Sequence, residues 1–247
     1  MNVLEVRNLC KKYGDTEILH NVNFDIGEDE FVAIMGQSGG GKSTLLYTVS
    51  GMDSPDSGSV FLAGDEITKL SAKKMQEIRL SKMGFVFQKT SFLKNLSVAD
   101  NIVYPAFQLG KSSRSEILEE AASLMEKMGI SKIASRDISE VSGGQLQRAA
   151  ICRAMINHPS ILFGDELTGA LNSSTTQEVM NILAAINRDG TAILVVTHDS
   201  KVAMRADRVI FLEDGNIKDV LSLGKYRSED FSAREKRMKE WLDVMKF

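Results

Sequence analysis

Residues 36–43 read Gly36-Gln37-Ser38-Gly39-Gly40-Gly41-Lys42-Ser43. They fit the pattern G-x-x-x-x-G-K-[ST], in which a glycine-rich loop cradles phosphate groups. The flanks suit it. Phe31-Val32-Ala33-Ile34-Met35 is a short apolar run of strand type, and Ser43 to Val49 can continue as a helix. Three consecutive glycines permit positive φ, so backbone N–H groups turn inward toward phosphate oxygens at the positive end of a helix dipole. Lys42 then reaches the β- and γ-phosphates, and Ser43 offers its hydroxyl to Mg²⁺.

The rest of the chain is an α/β pattern with one interruption. Before the loop, Leu4, Val6 and Leu9 and then Ile18, Leu19, Val22, Phe24 and Ile26 read as strands with turns at Tyr13-Gly14-Asp15 and Gly27-Glu28-Asp29, a small antiparallel sheet. After it come a turn at Pro55-Asp56-Ser57-Gly58, a strand at Ser59–Leu62, a polar helix at Ser71–Lys82 and a buried strand at Gly84–Phe87 ending on Gln88. Residues 96–140 contain helices and no convincing strand, with capping-box spacing at Ser113-Arg114-Ser115-Glu116 and Pro105 set to kink or end the preceding helix. Such a block between strands reads as an inserted helical subdomain. Strand Ile161–Phe163, helix Ser173–Asn187, strand Ala192–Val196 and a hairpin across Asp214-Gly215 restore the alternation.

Composition narrows the function. The chain has 247 residues, 43% of them hydrophobic, and a net charge of −3, so it buries a substantial core and lacks the basic footprint of a nucleic-acid binder. Cys10 and Cys152 are far apart and give neither a disulfide framework nor metal-ligand spacing, which favours a reduced, cytoplasmic setting. No apolar stretch approaches the roughly 18 residues of a spanning helix. Work at a membrane therefore requires another chain.

Five further positions invite chemistry. Asp165 follows an apolar strand far downstream of the loop, where a carboxylate helps hold Mg²⁺. Glu166 is adjacent and faces another way, placed to orient or deprotonate a water attacking the γ-phosphate. Gln88 and His198 both end strands, where open α/β sheets bind ligands, although a loop glutamine and a structural histidine are the plainer readings. Tyr13, an aromatic in a turn, suits either core packing or stacking on a base.

Ser142-Gly143-Gly144-Gln145-Leu146-Gln147-Arg148 resembles the signature motif of ATP-binding-cassette (ABC) ATPases, Leu-Ser-Gly-Gly-Gln, with Val141 in the leading place. A serine and two glycines opening a helix make a second anion site. In the resembled family that site closes on ATP held by another subunit, so the working unit is a head-to-tail homodimer with two ATP molecules at the interface. The resemblance covers residues 1 to about 222. It implies that Tyr13 stacks on adenine, Gly36 to Thr44 hold the phosphates, and Ser43, Gln88 and Asp165 serve Mg²⁺. It also implies that Glu166 acts on the water, His198 contacts the γ-phosphate, and Ser142, Gly143, Gly144, Gln145 and Asn172 act across the subunit interface. The implied fold is a P-loop NTPase core with an N-terminal antiparallel β subdomain and a helical subdomain inserted at about 92–140. Residues 1–222 form the ATPase domain and 223–247 a C-terminal helical extension.

Leu96 to Ile102 and Thr168 to Ser173 look most like the branch serving lipoprotein release, macrolide export and bacitracin-type antimicrobial-peptide resistance. The implied setting is the cytoplasmic face of a membrane, reached through a separate permease, without direct insertion. A second reading is an ATPase of a sensing or cell-division complex that moves no substrate. Two positions depart from the pattern. Leu167 replaces the usual proline after the glutamate, and Gly164 replaces an apolar residue, so a looser catalytic loop with slower hydrolysis is expected. In the tail from Ser228 to Lys246, Phe231, Met238, Trp241, Leu242 and Met245 share one helical face and the charges balance, which favours docking on protein over lipid.

Overall fold

The computed structural model describes all residues, Met1–Phe247. In chain order the elements are β1 (Asn2–Tyr13), β2 (Thr16–Gly27), β3 (Phe31–Met35), α1 (Lys42–Val49), β4 (Ser57–Leu62), β5 (Asp65–Glu66), α2 (Ala72–Lys82), β6 (Met83–Phe87), α3 (Val98–Leu109), α4 (Arg114–Lys127), α5 (Gly143–Met155), β7 (Ile161–Asp165), α6 (Ser173–Arg188), β8 (Ala192–Val196), α7 (Ser200–Ala203), β9 (Arg208–Glu213), β10 (Asn216–Ser222) and α8 (Phe231–Met245). They build two sheets. One is antiparallel in the order β2-β1-β4-β5, and the other runs β10-β9-β3-β8-β7-β6, parallel throughout except for β10.

The parallel sheet is covered on both sides, and the alternation of side chains along each strand divides the core. Phe31, Ala33 and Met35 of β3 join Ile193, Val195 and Phe211 in a core shared with α3 to α6 and α8. Val32 and Ile34 join Leu194, Val196 and Leu212 in a second core under the antiparallel sheet, α1 and α2. An unbroken apolar run thus encodes two faces, because every residue of a doubly covered strand has something to bury against. The N-terminal strands, by contrast, carry a mixed buried and exposed pattern.

The inserted block is helical as expected, with α3 and α4 separated from α5 by two short 3₁₀ turns. The capping box at Ser113 and Glu116 is formed. Pro105 does not end its helix. α3 continues through it to Leu109 and stops at Gly110, which takes the left-handed conformation a C-terminal cap needs. Buried Asn101 ties the loop before α3 to that helix: its Oδ1 accepts from Leu93 N at 2.7 Å and its Nδ2 donates to the carbonyls of Leu93, Leu96 and Ser97.

α8 docks on the body of the chain. Met238, Trp241, Leu242 and Met245 are buried in the core that includes Phe211, whose ring meets Trp241 edge-on at 5.8 Å. Trp241 Nε1 donates to Asp219 Oδ2 at 2.7 Å. Arg234 is buried among backbone carbonyls, donating to those of Met204, Ala206, Leu223 and Gly224. Burial pushes its guanidinium below its ordinary pKa.

Candidate active site

β3 hands the chain into the phosphate loop, and α1 begins at Lys42 after Gly41, which has φ 91°. Gly36 has φ 145°, and a Cβ there would lie 1.9 Å from the Leu212 carbonyl oxygen, so only glycine lets the loop pass β9. Lys42 is buried, and its Nζ donates to the carbonyls of Gly36 at 2.9 Å and Gln37 at 2.6 Å. Burial lowers the Lys42 ammonium from its usual pKa, opposed by the carboxylates of Glu166 and Asp165.

Strand register brings the downstream residues to the same edge. Phe87, Asp165 and Val196 are aligned across β6, β7 and β8, so Gln88, Glu166 and His198 emerge together at the carboxyl ends of three neighbouring strands. Asp165 Oδ1 accepts from Ser43 Oγ at 3.2 Å, and His198 Nδ1 lies 3.1 Å from Glu166 Oε1. The Glu166 backbone has φ 45°, held by its N–H on the Val196 carbonyl and by Gly169 N–H donating to its own carbonyl. A pocket lined by Tyr13, Ser38, Lys42, Ser43, Thr44, Glu166 and His198 adjoins one lined by Ser43, Gln88, Asp165 and Glu166. Ser43 and Glu166 belong to both.

Tyr13 is 51% exposed, which rules out core packing. Its hydroxyl donates to Asp53 Oδ2 at 2.6 Å, Lys11 Nζ donates to Asp53 Oδ1 at 2.9 Å, and the Lys11 ammonium lies 5.0 Å from the Tyr13 ring centroid. The hydroxyl is thereby anchored while about half of the residue stays open to solvent.

The two positions that depart from the family pattern, Gly164 and Leu167, pack against each other behind Glu166. Leu167 is buried, and a Cβ on Gly164 would fall 2.3 Å from Leu167 Cδ2 and 3.0 Å from Val195 Cγ1. The two departures are one packing solution: the leucine occupies the volume that a side chain at 164 would take.

Other predicted residues do not join this site within one chain. Ser142 caps α5 in a reciprocal box with Gln145, Ser142 and Gly143 are exposed, and neither these nor Gly144 and Gln145 line the phosphate-loop pockets. Asn172 caps α6 by accepting from Thr175 N at 2.9 Å. Three contributors escaped the sequence reading. Tyr47 donates its hydroxyl to Asp165 Oδ2 at 2.8 Å, with burial and then that bond pushing its phenol up to about 12. Its spacing of four from Ser43 on a helix was the available signal. Asp53 gave none, and Phe247, beyond α8, lines the pocket of Lys42, its ring edge-on to that of Phe211 with centroids 5.5 Å apart.

A phosphate loop between strand and helix, with carboxylates at the ends of neighbouring parallel strands, defines a nucleoside triphosphatase of the α/β class. The ABC transporter family profile matches residues 19–169. The chain belongs to that family, as its ATPase domain. Among relatives, the macrolide export ATP-binding/permease protein MacB of Mannheimia succiniciproducens is 40% identical over 223 residues, which are 89% of this chain and 34% of that protein. The chain thus spans about a third of the length of that curated relative. The dimeric structure of MJ0796, a bacterial ABC transporter cassette, superposes with TM-score 0.83 at 35% identity, covering 90% of this chain and 100% of that one. A post-hydrolysis dimer of the same cassette bound to ADP and Pi gives TM-score 0.82. CbiO1 from Clostridium perfringens gives 0.84 at 26% identity over 98% of this chain and 95% of that one.

Proposed function

We propose that this ABC ATPase drives a separate membrane permease by closing, with ATP, into a head-to-tail homodimer. The observation that carries the reading is the division of the site: the phosphate loop shares one pocket with Glu166 and His198 and reaches Asp165 through Ser43, while the start of α5 at Ser142 and Gly143 is exposed and lines neither phosphate-loop pocket. The dimeric MJ0796 cassette supports this arrangement. Tyr13 stacks on adenine, Gly36 to Thr44 bind the phosphates, Glu166 acts on the attacking water, and His198 reads the γ-phosphate. Ser142 to Gln145 and Asn172 meet the partner's nucleotide.

Asp165, Ser43 and Gln88 are hard oxygen donors suited to Mg²⁺, which is held by one or two protein groups plus substrate phosphates in place of an all-protein cage. No group of three or more His, Cys, Asp or Glu side chains forms such a cage here. The ion supplies Lewis-acid stabilisation of phosphate charge when bound. The chain's own residues place ATP, exclude competing geometry and hold the water against Glu166.

Residues 1–222 make the ATPase domain, with 92–140 as its helical subdomain and 223–247 as the extension. The substrate class is that of the MacB-like branch: a macrolide, lipoprotein or antimicrobial peptide exported or neutralised at the membrane. No helix is long and apolar enough to cross a membrane, and attachment at the cytoplasmic face through the permease is part of the same proposal. The docking segment is 89–96 with the adjoining groove lined by Leu80, Phe85, Tyr104, Pro105 and Arg153. Leu93 is exposed there, whereas Phe92 packs partly inward under the Arg153 guanidinium at 4.5 Å. Leu93→Ser is therefore the clean test. In the reconstituted complex it should uncouple substrate-stimulated from basal ATPase, and unchanged stimulation rejects the contact.

A further inference from the structure

Tyr47 lies one helical turn beyond Ser43 on α1, and both reach across to the end of β7. The two oxygens of Asp165 are divided between them: Oδ1 accepts from Ser43 Oγ at 3.2 Å and Oδ2 from Tyr47 Oη at 2.8 Å. The phenol is itself held. Its ring meets Phe87 edge-on at 6.4 Å, Phe87 stacks on Phe85 at 6.1 Å, and Phe85 stacks on Phe163 at 5.5 Å. Phe163 stands two residues before Asp165 on the same strand, and Phe87 is the register partner of Asp165 on β6. An aromatic row therefore begins and ends beside the aspartate. Tyr47 also lines the pocket that contains Ser43, Gln88, Asp165 and Glu166.

We propose that Tyr47 is a positioning residue for Asp165: by holding Oδ2 it fixes the carboxylate plane and turns Oδ1 toward Ser43, selecting the oxygen offered to Mg²⁺. This rests on the proposal that Asp165 and Ser43 serve the metal. An unrestrained carboxylate rotates about its terminal bond and presents either oxygen, at an entropic cost when one is fixed. A donor on the outer oxygen pays that cost in advance, and losing such a partner typically weakens metal affinity about 10–100-fold. Packing alone does not account for the hydroxyl, since phenylalanine makes the same edge contact with Phe87.

The test uses the whole chain and a fluorescent ATP analogue titrated in EDTA and then against MgCl₂, with Mn²⁺ paramagnetic resonance as a direct count of bound metal. Tyr47→Phe keeps the ring and is expected to leave metal-free nucleotide affinity unchanged while raising the half-saturating Mg²⁺ and Mn²⁺ concentrations about 10-fold. Turnover should recover at saturating Mg²⁺, placing the defect in metal capture. Tyr47→Leu, lacking ring and hydroxyl, should show at least the same shift; a shift in the leucine variant with none in the phenylalanine variant overturns the proposal. Asp165→Asn separates it from the underlying reading. If Asp165→Asn loses metal dependence and Tyr47→Phe matches the parent, the positioning role is wrong and the metal assignment stands. If Asp165→Asn keeps parental metal dependence, the metal assignment falls and takes the positioning role with it.

Discussion

The chain carries two helix N-termini built to receive phosphate, and they are finished differently. At α1 the loop from Gly36 to Gly41 folds around Lys42, backs onto β9, and faces Asp165, Glu166 and His198. At α5 the donors are partly spent on an internal box between Ser142 and Gln145, the opening glycine is exposed, and no carboxylate or lysine of the phosphate-loop pockets is shared. The first is a site with its own chemistry. The second is a surface that gains chemistry only when something charged is brought to it. What separates them is the neighbour each one has: α1 follows a central strand of the parallel sheet, while α5 opens from the helical insertion at some distance from the strand ends.

The sharpest way to break this contrast acts on the first site. Glu166→Gln should slow hydrolysis about 10²–10⁴-fold while MgATP binding persists, because only the group acting on the water is lost. The variant should accumulate as an ATP-bound dimer. Turnover and light scattering check both, and near-parental turnover removes Glu166 from the base role.

Next in size is a charge placed at the second site. A Cβ on Gly143 meets open space, so Gly143→Asp should fold normally, its carboxylate suiting the helix N-terminus. Against a partner's phosphates the same charge repels, at a cost of about several kcal/mol for like charges across an interface. ATP binding by the monomer should be unchanged and ATP-dependent dimerisation lost. A fall in monomer affinity would mean that both anion sites act on one nucleotide within the chain, collapsing the contrast.

The packing behind Glu166 gives an intermediate effect. Gly164→Ala drives a methyl group into Leu167 and Val195, and overpacking of this kind costs about 1–3 kcal/mol. Adding Leu167→Ala should restore part of the lost melting temperature, with a coupling of about 0.5–3 kcal/mol in a double-mutant cycle. Strict additivity would show that the two positions are independent.

The smallest effect is optical. Trp241 is the single tryptophan, and Phe211 beside it pairs with Met35 immediately before the phosphate loop. Its emission should be blue-shifted and protected from quencher in the isolated chain, with a slight change on ATP binding that persists in Gly143→Asp. Emission typical of exposed tryptophan, or a shift caused only by lipid vesicles, would contradict the docking of α8.

Most of the phosphate-loop side was legible because its signals are local. Gly36 to Ser43 state their own geometry through glycine, lysine and hydroxyl at fixed spacing, and an apolar strand followed by Asp165-Glu166 carries its meaning within a few residues. The stripe of Phe231, Met238, Trp241, Leu242 and Met245 likewise foretold a docked face through helical periodicity alone. Less was legible where a local rule left the outcome open. Pro105 reads as a kink or an end of its helix, and the end is the alternative that fails, because α3 passes through it and stops at Gly110. Leu167 reads as a lost backbone constraint, and its packing against Gly164 was not visible in the sequence.

By itself the sequence determined the α/β class, the phosphate loop, the carboxylates and their order along the chain, since each depends on backbone preferences and side-chain chemistry over short spans. Only the tertiary structure decided that Tyr47 holds Asp165, that Asp53 holds Tyr13, and that Leu167 fills the space above Gly164. The first two pairs are separated by 118 and 40 residues along the chain, and the third, though close in sequence, depends on Val195 of the adjacent strand. Which side chains meet there is set by strand order and register, through which a one-residue slip would turn every one of them to the opposite face.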